Sequence, residues 1–266
     1  MKFPTLFIPH GGGPCFFMDP QGGPPDPMWQ PMQDYLAGLV ESLPERPRAI
    51  LLVSGHWEEA QATVHSGARP GLLYDYYGFP EHTYRLRWDA PGAPELATRA
   101  RTLIEAAGFP VGAEATRGWD HGVFIPMKVA VPGADIPLAQ LSLRADLDPE
   151  AHIAFGRALA PLRDEGVLIA ASGMSFHNLR ERGPHVTGRA DAWDAALTDA
   201  VTDPDPVRRA ARVAAWETLP HARFAHPREE HLLPLMVALG AGGDDPARAD
   251  FTGHVLGWTV SGYRFG

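Results

Sequence analysis

The chain has 266 residues, of which 45% are apolar and 21% charged, so it has a globular composition and is long enough to bury a substantial core. Its formal net charge of −9 argues against nucleic acid or an anionic membrane surface as the main partner, because both require basic patches. The single cysteine, Cys15, excludes an intramolecular disulfide and any zinc site of the CxxC type.

The beginning of the chain leads directly into an apolar run at residues 5–9, without the pattern of a signal peptide, and no apolar run reaches membrane length. We therefore expect a cytoplasmic protein that binds neither nucleic acid nor membranes. Because the sequence contains no internal repeat and no evident linker, we expect residues 1–266 to form a single domain. Monomer and homodimer are both compatible with the sequence.

Short apolar runs alternate with segments of helical periodicity along most of the chain. This alternation is typical of an α/β fold with a central, mostly parallel sheet flanked by helices. The turn-rich stretch 70–92 carries many aromatic residues and predicts the wall or lid of a functional site. The predicted strands are 5–9, 48–54, 62–65, 137–142, 167–171 and 253–260, and the predicted helices are 29–42, 94–107, 124–129, 149–164, 189–202 and 206–217.

Three of the apolar runs end at a glycine-bearing turn that presents a histidine. These are His10 in His10-Gly11-Gly12-Gly13, His56 in Ser54-Gly55-His56-Trp57, and His177 in Ser172-Gly173-Met174-Ser175-Phe176-His177. The carboxyl ends of parallel strands share one edge of a sheet, where ligands bind, and paired imidazoles suit Fe, Zn or Cu. We therefore predict a metal site at this edge. The alternatives are a solvated loop residue for His10 and a carbonyl-bonded core residue for His56.

A third protein ligand is expected near the end of the chain, within residues 226–231. His226 and His231 are five residues apart, which is not a helical spacing, so only one of them is expected to reach the metal. Glu230 is a rival to His231, because two histidines and one carboxylate form the familiar non-haem iron pattern. The residues alone leave this choice open.

Two more histidines are candidates for further ligands or for acid/base groups, because imidazole titrates near neutrality and suits proton transfer on a phenolic substrate. One is His177, and the other is His121 in Trp119-Asp120-His121-Gly122. The alternative for His121 is a loop residue that is hydrogen-bonded to Asp120. Cys15 lies close to His10 and is expected to be a small apolar filler rather than a reactive thiol.

With these residues in hand, the chain resembles the class III extradiol ring-cleaving dioxygenases, and most closely their DOPA 4,5-dioxygenase-like (LigB-type) branch. The matching stretches occur in family order across almost the whole chain, which makes them specific together although each is weak alone. They are Pro9-His10-Gly11, Ser54-Gly55-His56-Trp57, Tyr74-Asp75-Tyr76-Tyr77-Gly78-Phe79-Pro80, Ala90-Pro91-Gly92, Trp119-Asp120-His121-Gly122, Ser172-Gly173 with His177-Asn178-Leu179, and Glu230-His231-Leu232-Leu233-Pro234-Leu235.

The resemblance implies a mononuclear metal held by His10, His56 and His231, which favours His231 over Glu230. It implies that His177 is a catalytic acid/base and a candidate fourth ligand. It places His121 in the substrate pocket, where we expect it to act as a second catalytic residue that hydrogen-bonds the substrate hydroxyl or the oxygen species. The implied cofactor is Fe(II) for turnover, with Zn(II) as the ion that purified or crystallised samples often hold.

The implied activity is extradiol cleavage of a small-molecule catechol, a DOPA-like or related 3,4-dihydroxyphenyl compound, with O2 to give a semialdehyde. Arg85 and Arg180 are candidate anchors for a carboxylate on that catechol. One alternative is a zinc-dependent hydrolase in which the same histidines activate water. Another is a non-enzymatic, Memo-like binding protein, because fold does not determine function. The presence of both His121 and His177 favours an enzyme.

Overall fold

The computed structural model describes residues 2–266, and its eight strands form one sheet. The strands are β1 (Thr5–Pro9), β2 (Ala49–Glu59), β3 (Ala62–His65), β4 (Val111–Glu114), β5 (Leu138–Arg144), β6 (Val167–Gly173), β7 (Ala247–Val255) and β8 (Trp258–Phe265). Their order is β4-β3-β5-β2-β6-β1-β8-β7. The pairs β1–β6, β6–β2, β2–β5 and β3–β4 are parallel, whereas β3–β5, β1–β8 and β8–β7 are antiparallel. The predicted α/β fold with a mostly parallel sheet is confirmed.

Helices flank this sheet. They are α1 (Gln30–Ala37), α2 (Pro94–Ala106), α3 (His121–Ala130), α4 (Pro149–Leu159), α5 (Thr187–Val201), α6 (Pro206–Ala214), α7 (Ala222–Ala225) and α8 (Leu233–Gly242). Helix α8 is buried at every residue and contacts β1, β2 and β6, while α4 packs on α8. None of the helices within residues 2–266 has both the length and the hydrophobicity that a membrane-spanning helix requires.

The three central strands β2, β6 and β1 are neighbours and run in the same direction. Each is an apolar run because helices or loops cover both of its faces, as is usual for parallel sheets. Pro9 lies opposite Gly173, and Ser54 lies opposite Ser172. The three strands therefore reach the same edge of the sheet at nearly the same level, which confirms the predicted convergence.

Strand β2 is longer than predicted. It continues past residue 54 to Glu59, so His56 lies within the strand rather than in a turn after it. The pairing of β2 with β5 shifts between Val53 and Glu58, after which Glu58 lies opposite Leu143. Such an irregularity changes the direction in which side chains point near the end of a strand. His56 lies within the irregular segment, between Val53 and Glu58.

The C-terminal strand prediction was incomplete, because residues 253–260 belong to a hairpin and not to one strand. Strands β7 and β8 are joined at Leu256 and Gly257, whose φ angles are 55° and 86°. Positive φ at both central residues is the geometry of the two-residue turn that matches the twist of paired strands. Gly257 was the available sequence signal for this turn.

Three predicted helices end early, and one of them is the helix predicted over 206–217, because α6 ends at Ala214. The predicted helix 29–42 stops at Gly38, which follows α1. The predicted helix 149–164 changes after α4 into a 3₁₀ helix over Ala160–Glu165. Pro161 lacks the backbone N–H that would continue the α-helical bonding, which explains this change.

His152 connects the end of β5 to the first turn of α4 and is fully buried. Its Nδ1 lies 2.6 Å from the carbonyl oxygen of Asp148, and its Nε2 lies 3.2 Å from the backbone nitrogen of Arg144. Only a neutral ring that donates from Nδ1 and accepts at Nε2 satisfies both contacts. Burial lowers the pKa of His152 to about 4.

Because the unfolded chain binds a proton at His152 near pH 6.5 and the folded chain only near pH 4, acid favours unfolding between these values. His152→Gln keeps a donor and an acceptor but cannot titrate. We expect the wild type to lose about 3 kcal/mol more unfolding free energy than this variant between pH 7 and pH 4. Urea unfolding at a series of pH values measures this difference. Parallel stability profiles for the two proteins would contradict the assignment.

Candidate metal centre and active-site cavity

Five histidine rings converge where the central strands end. The ring centroid of His10 lies 4.9 Å from that of His56 and 5.2 Å from that of His231, and the last two centroids are 4.6 Å apart. The ring of His121 lies 3.9 Å from that of His56, and the ring of His177 stacks on that of His231 at 3.4 Å. The structure thus brings together all five histidines of the predicted site.

Two glycines allow the segment of His231 to reach the strand ends. A Cβ atom on Gly55 would lie 2.9 Å from the carbonyl oxygen of Glu230, and one on Gly173 would lie 2.1 Å from that of His231. The backbone N–H of Met174 donates to the same His231 carbonyl at 3.0 Å. Only glycine at these two positions permits this close approach of backbone to backbone.

Three of these rings are held in the uncharged state. Burial lowers the pKa of His10, His56 and His231 well below the ordinary histidine value, and the neighbouring histidines lower it further. A neutral imidazole keeps a lone pair on one ring nitrogen, which is the form that binds metals. The chemistry of this set of nitrogens therefore suits a divalent transition-metal ion.

Two observations test whether a metal fits. The Nε2 atoms of His56 and His231 are 3.1 Å apart. Two nitrogens about 2.1 Å from one ion and at right angles to each other would be about 3.0 Å apart. His10 is almost completely buried, and within residues 2–266 neither of its ring nitrogens has a hydrogen-bond partner. Buried polar atoms are rarely left unpaired, so these residues fit a metal ion.

Two carboxylates flank the rings, and each contacts two histidines. Asp75 Oδ1 lies 2.8 Å from His121 Nδ1 and accepts the backbone N–H of His121 at 2.9 Å, and Asp75 Oδ2 is 3.6 Å from His56 Nδ1. Glu230 Oε1 lies 3.0 Å from His231 Nδ1 and 3.5 Å from His177 Nδ1. Such carboxylates fix the tautomer of a histidine and leave its Nε2 free.

Burial alone would raise the pKa of Glu230, but its contacts with His177 and with the Arg228 guanidinium outweigh burial and lower this pKa. Glu230 therefore stays ionised behind the rings. His231, and not Glu230, is among the residues that line the cavity described below. His226 lies elsewhere: it is fully buried, its Nε2 is 2.9 Å from the Ser175 carbonyl, and its ring packs on tryptophans.

Asp120 is buried immediately before α3 and forms the centre of a polar network. Its carboxylate accepts hydrogen bonds from Ser54 Oγ at 2.7 Å, Gln140 Nε2 at 2.5 Å and Arg117 Nη2 at 3.3 Å. Burial is the main cause of its raised pKa. The network connects β2 and β5 to the start of α3 and so sets the position of His121. The predicted alternative, a hydrogen bond from His121 to Asp120, is not formed, because His121 contacts Asp75 instead.

The histidines form the floor of a cavity of about 690 Å³. Much of the remaining lining is apolar or aromatic. Asp75, Tyr76, Tyr77 and Phe79 line the cavity, which confirms the predicted wall in the stretch 70–92. Cys15 also lines it, and burial raises the pKa of its thiol to about 12, so the thiol stays protonated as an apolar filler.

Sequence reasoning missed some of the residues around this cavity. Asp75 lies within a quoted motif, but nothing in its local sequence indicates that it contacts two histidines. Neither Arg85 nor Arg180 lines the cavity, and Arg85 forms an ion pair with Glu81. The cavity is instead lined by Arg182, which the sequence analysis did not consider.

Residues 4–263 match the family described as the catalytic LigB subunit of aromatic ring-opening dioxygenase. The chain belongs to this family. The LigB match spans nearly the whole sheet, including all five histidines of the cluster. Members of the LigB family are metal-dependent, which agrees with the fit of a metal ion to the buried imidazoles.

Proteins that are named dioxygenases are similar to this chain over most of its length. The chain is 36% identical to a protein named dioxygenase tasH from Hapsidospora irregularis, over 99% of this chain and 85% of that protein. It is 38% identical to a 4,5-DOPA dioxygenase extradiol from Beta vulgaris, over 91% of this chain and 87% of that protein. The crystal structure of an uncharacterized protein from Escherichia coli K12 superposes with a TM-score of 0.80 at 29% identity, and the match covers 100% of both chains.

The contacts of Glu230 predict a graded effect on metal affinity. Glu230→Gln keeps an acceptor for His231 Nδ1 but removes its charge, and we expect the affinity for Zn(II) to fall about tenfold. Glu230→Ala also removes the acceptor, and we expect a loss of up to about 100-fold. Competition with a chromophoric chelator measures both values.

The matched control is Glu229→Gln, which removes a neighbouring carboxylate that contacts Arg223 and no histidine. Its affinity for Zn(II) should equal that of the wild type. If all three variants bound Zn(II) as tightly as the wild type does, Glu230 would have no role in metal binding.

Proposed function

We propose that residues 1–266 act as a single catalytic domain that opens the aromatic ring of a catechol next to its diol. The substrates are O2 and a small 3,4-dihydroxyphenyl compound, and the product is a semialdehyde that contains both oxygen atoms. One observation carries this proposal: three largely buried, neutral imidazoles meet at the floor of a cavity, and two further histidines flank them. Membership of the LigB family supports the reaction type.

In this proposal His10, His56 and His231 hold the metal. An Fe(II) ion bound there would supply a Lewis acid that favours deprotonation of the catechol and a redox-active centre for O2. Zn(II) would bind to the same three nitrogens, but it has no redox chemistry. We therefore propose Fe(II) as the ion of the active enzyme.

His177 is proposed as the acid/base. Its Nδ1 faces Glu230 at 3.5 Å, which leaves Nε2 as the nitrogen that takes a proton from a catechol hydroxyl. The stacking of its ring on that of His231 keeps His177 beside the proposed metal ligands. The same Nε2 then returns this proton to an oxygen atom that comes from O2, and so assists cleavage of the O–O bond. A fourth-ligand role is the alternative for this residue.

His121 is proposed as the second catalytic residue. Asp75 accepts a hydrogen bond from the backbone N–H of His121 and faces its Nδ1, so the ring is held at two points. Its Nε2 is then free to hydrogen-bond a substrate hydroxyl. The aromatic ring of Tyr76 packs 5.8 Å from that of His121 and limits its movement.

Oxygen uptake tests the reaction. We expect the Fe(II)-loaded protein to consume one O2 per catechol and to form a coloured product, with both atoms of ¹⁸O2 found in that product. The Zn(II)-loaded protein should consume none. Caffeate, protocatechuate, DOPA and unsubstituted catechol, followed by an oxygen electrode and by absorbance, would rank the substrates. No uptake on any catechol by protein with a full complement of Fe(II) would contradict the proposal.

Removal of His177 tests the acid/base assignment separately from metal binding. We expect His177→Ala to lower kcat by about 10²–10⁴-fold, which is the usual contribution of such a group. Its iron content should remain that of the wild type. The control is His254→Ala, an exposed histidine of β7, whose kcat should not change. Full turnover by His177→Ala would remove this residue from the mechanism, and loss of its iron would favour the ligand role.

A further inference from the structure

The cavity contains one residue with a fixed positive charge. Arg182 is the only lysine or arginine that lines it among the described residues. Within residues 2–266, no carboxylate lies at ion-pair distance from the Arg182 guanidinium, whereas the adjacent Glu181 carboxylate faces His185 and Arg189. Arg182 is exposed to solvent, and its unpaired guanidinium at the edge of the cavity offers a positive charge to whatever enters.

The backbone around Arg182 is fixed on both sides. The N–H of Glu181 donates to the carbonyl of Asn178 at 3.0 Å, and Trp258 Nε1 donates to the carbonyl of Glu181 at 2.5 Å. The N–H of Gly183 donates to the carbonyl of Leu256 at 2.7 Å. The backbone position of Arg182 is therefore fixed. Arg182 lies five residues after His177, on the loop that carries the proposed acid/base.

The exposed rim of the cavity favours a catechol whose ring carries a side chain. Met18, Tyr77 and Leu179 line the cavity and are also exposed, by 36%, 92% and 54%. A volume of about 690 Å³ is typical of sites for ligands larger than a bare catechol. The ring would lie at the histidine floor, and the apolar part of a side chain would contact this exposed rim.

Two acidic residues also line the cavity, and neither is an ion-pair partner of Arg182. Asp75 contacts His121 and His56 on the floor. Asp26 accepts a hydrogen bond from the backbone N–H of Met28 at 3.0 Å. The guanidinium is therefore the only group in the lining with a permanent positive charge for an anion.

We propose that Arg182 is a specificity-determining residue that binds a carboxylate at the end of the catechol's side chain. This inference rests on the proposed function. The planar guanidinium matches a carboxylate with two parallel N–H···O hydrogen bonds, which a lysine at the same position cannot reproduce. The substrate class is thus a 3,4-dihydroxyphenyl compound with an anionic side chain, oriented with its ring toward the histidines.

Binding without turnover tests this proposal. The probes are 3-(3,4-dihydroxyphenyl)propanoate and its primary amide, which differ in the charge of the side chain. Both are titrated anaerobically into the Fe(II)-loaded protein, with the tryptophan fluorescence of the protein, to which Trp29 and Trp258 in the cavity lining contribute, as the readout. We expect the wild type to bind the acid about tenfold more tightly than the amide. Arg182→Leu should bind the two equally, and Arg182→Lys should be intermediate.

Arg85→Leu is the matched control, because Arg85 is an exposed arginine outside the cavity lining. It should keep the wild-type preference for the acid. In air, Arg182→Leu should raise KM for the acid about tenfold and leave kcat within about twofold. A general structural defect would instead weaken the binding of acid and amide alike.

The outcomes separate this inference from the proposed function. If oxygen is consumed with both probes but Arg182→Leu keeps the preference for the acid, the reaction stands and the role of Arg182 is wrong. If neither probe is oxidised but the preference for the acid disappears in Arg182→Leu, the role of Arg182 stands and the proposed reaction is wrong. A wild type that binds both probes equally would also overturn the role of Arg182.

Discussion

Mutual burial of His10, His56 and His231 determines the chemistry that the site can perform. A charged imidazolium there would lose its hydration and face other rings that compete for protons, so all three pKa values are lowered. The neutral rings offer lone pairs, but the two ring nitrogens of His10 have no partner among the described residues. An unpaired buried polar atom costs about 1–3 kcal/mol. A bound cation would relieve this cost, so metal binding and stability are linked.

The carboxylates of Asp75 and Glu230 group four of the five histidines into two pairs. Each carboxylate contacts one ring that is proposed to hold the metal and one ring that is proposed as a catalytic residue. The pairs come from different parts of the chain, yet they have the same form. A change in either carboxylate would therefore affect the affinity for the metal and the orientation of one catalytic histidine together, because one carboxylate contacts both rings.

The fold could be predicted from the sequence because its signals are local. Apolar runs that become buried parallel strands, and the histidines that follow or end them, are read from neighbouring residues. The resemblance to a known family likewise rests on short motifs, each of which consists of neighbouring residues. The extension of β2 through His56 could not be predicted, because it depends on pairing with β5, which lies about 80 residues further along the chain.

The sequence by itself determined the strands β1, β2, β3, β5 and β6 and which residue types stand at the edge of the sheet. Only the tertiary structure decided that His226 is enclosed by tryptophans while His231 joins the cluster, that Glu230 lies behind the rings, and that Arg182 lines the cavity. The physical reason is that the first set depends on the pattern of hydrophobic and turn-forming residues along the chain. The second depends on contacts between side chains of distant segments, which sheet order and loop packing establish.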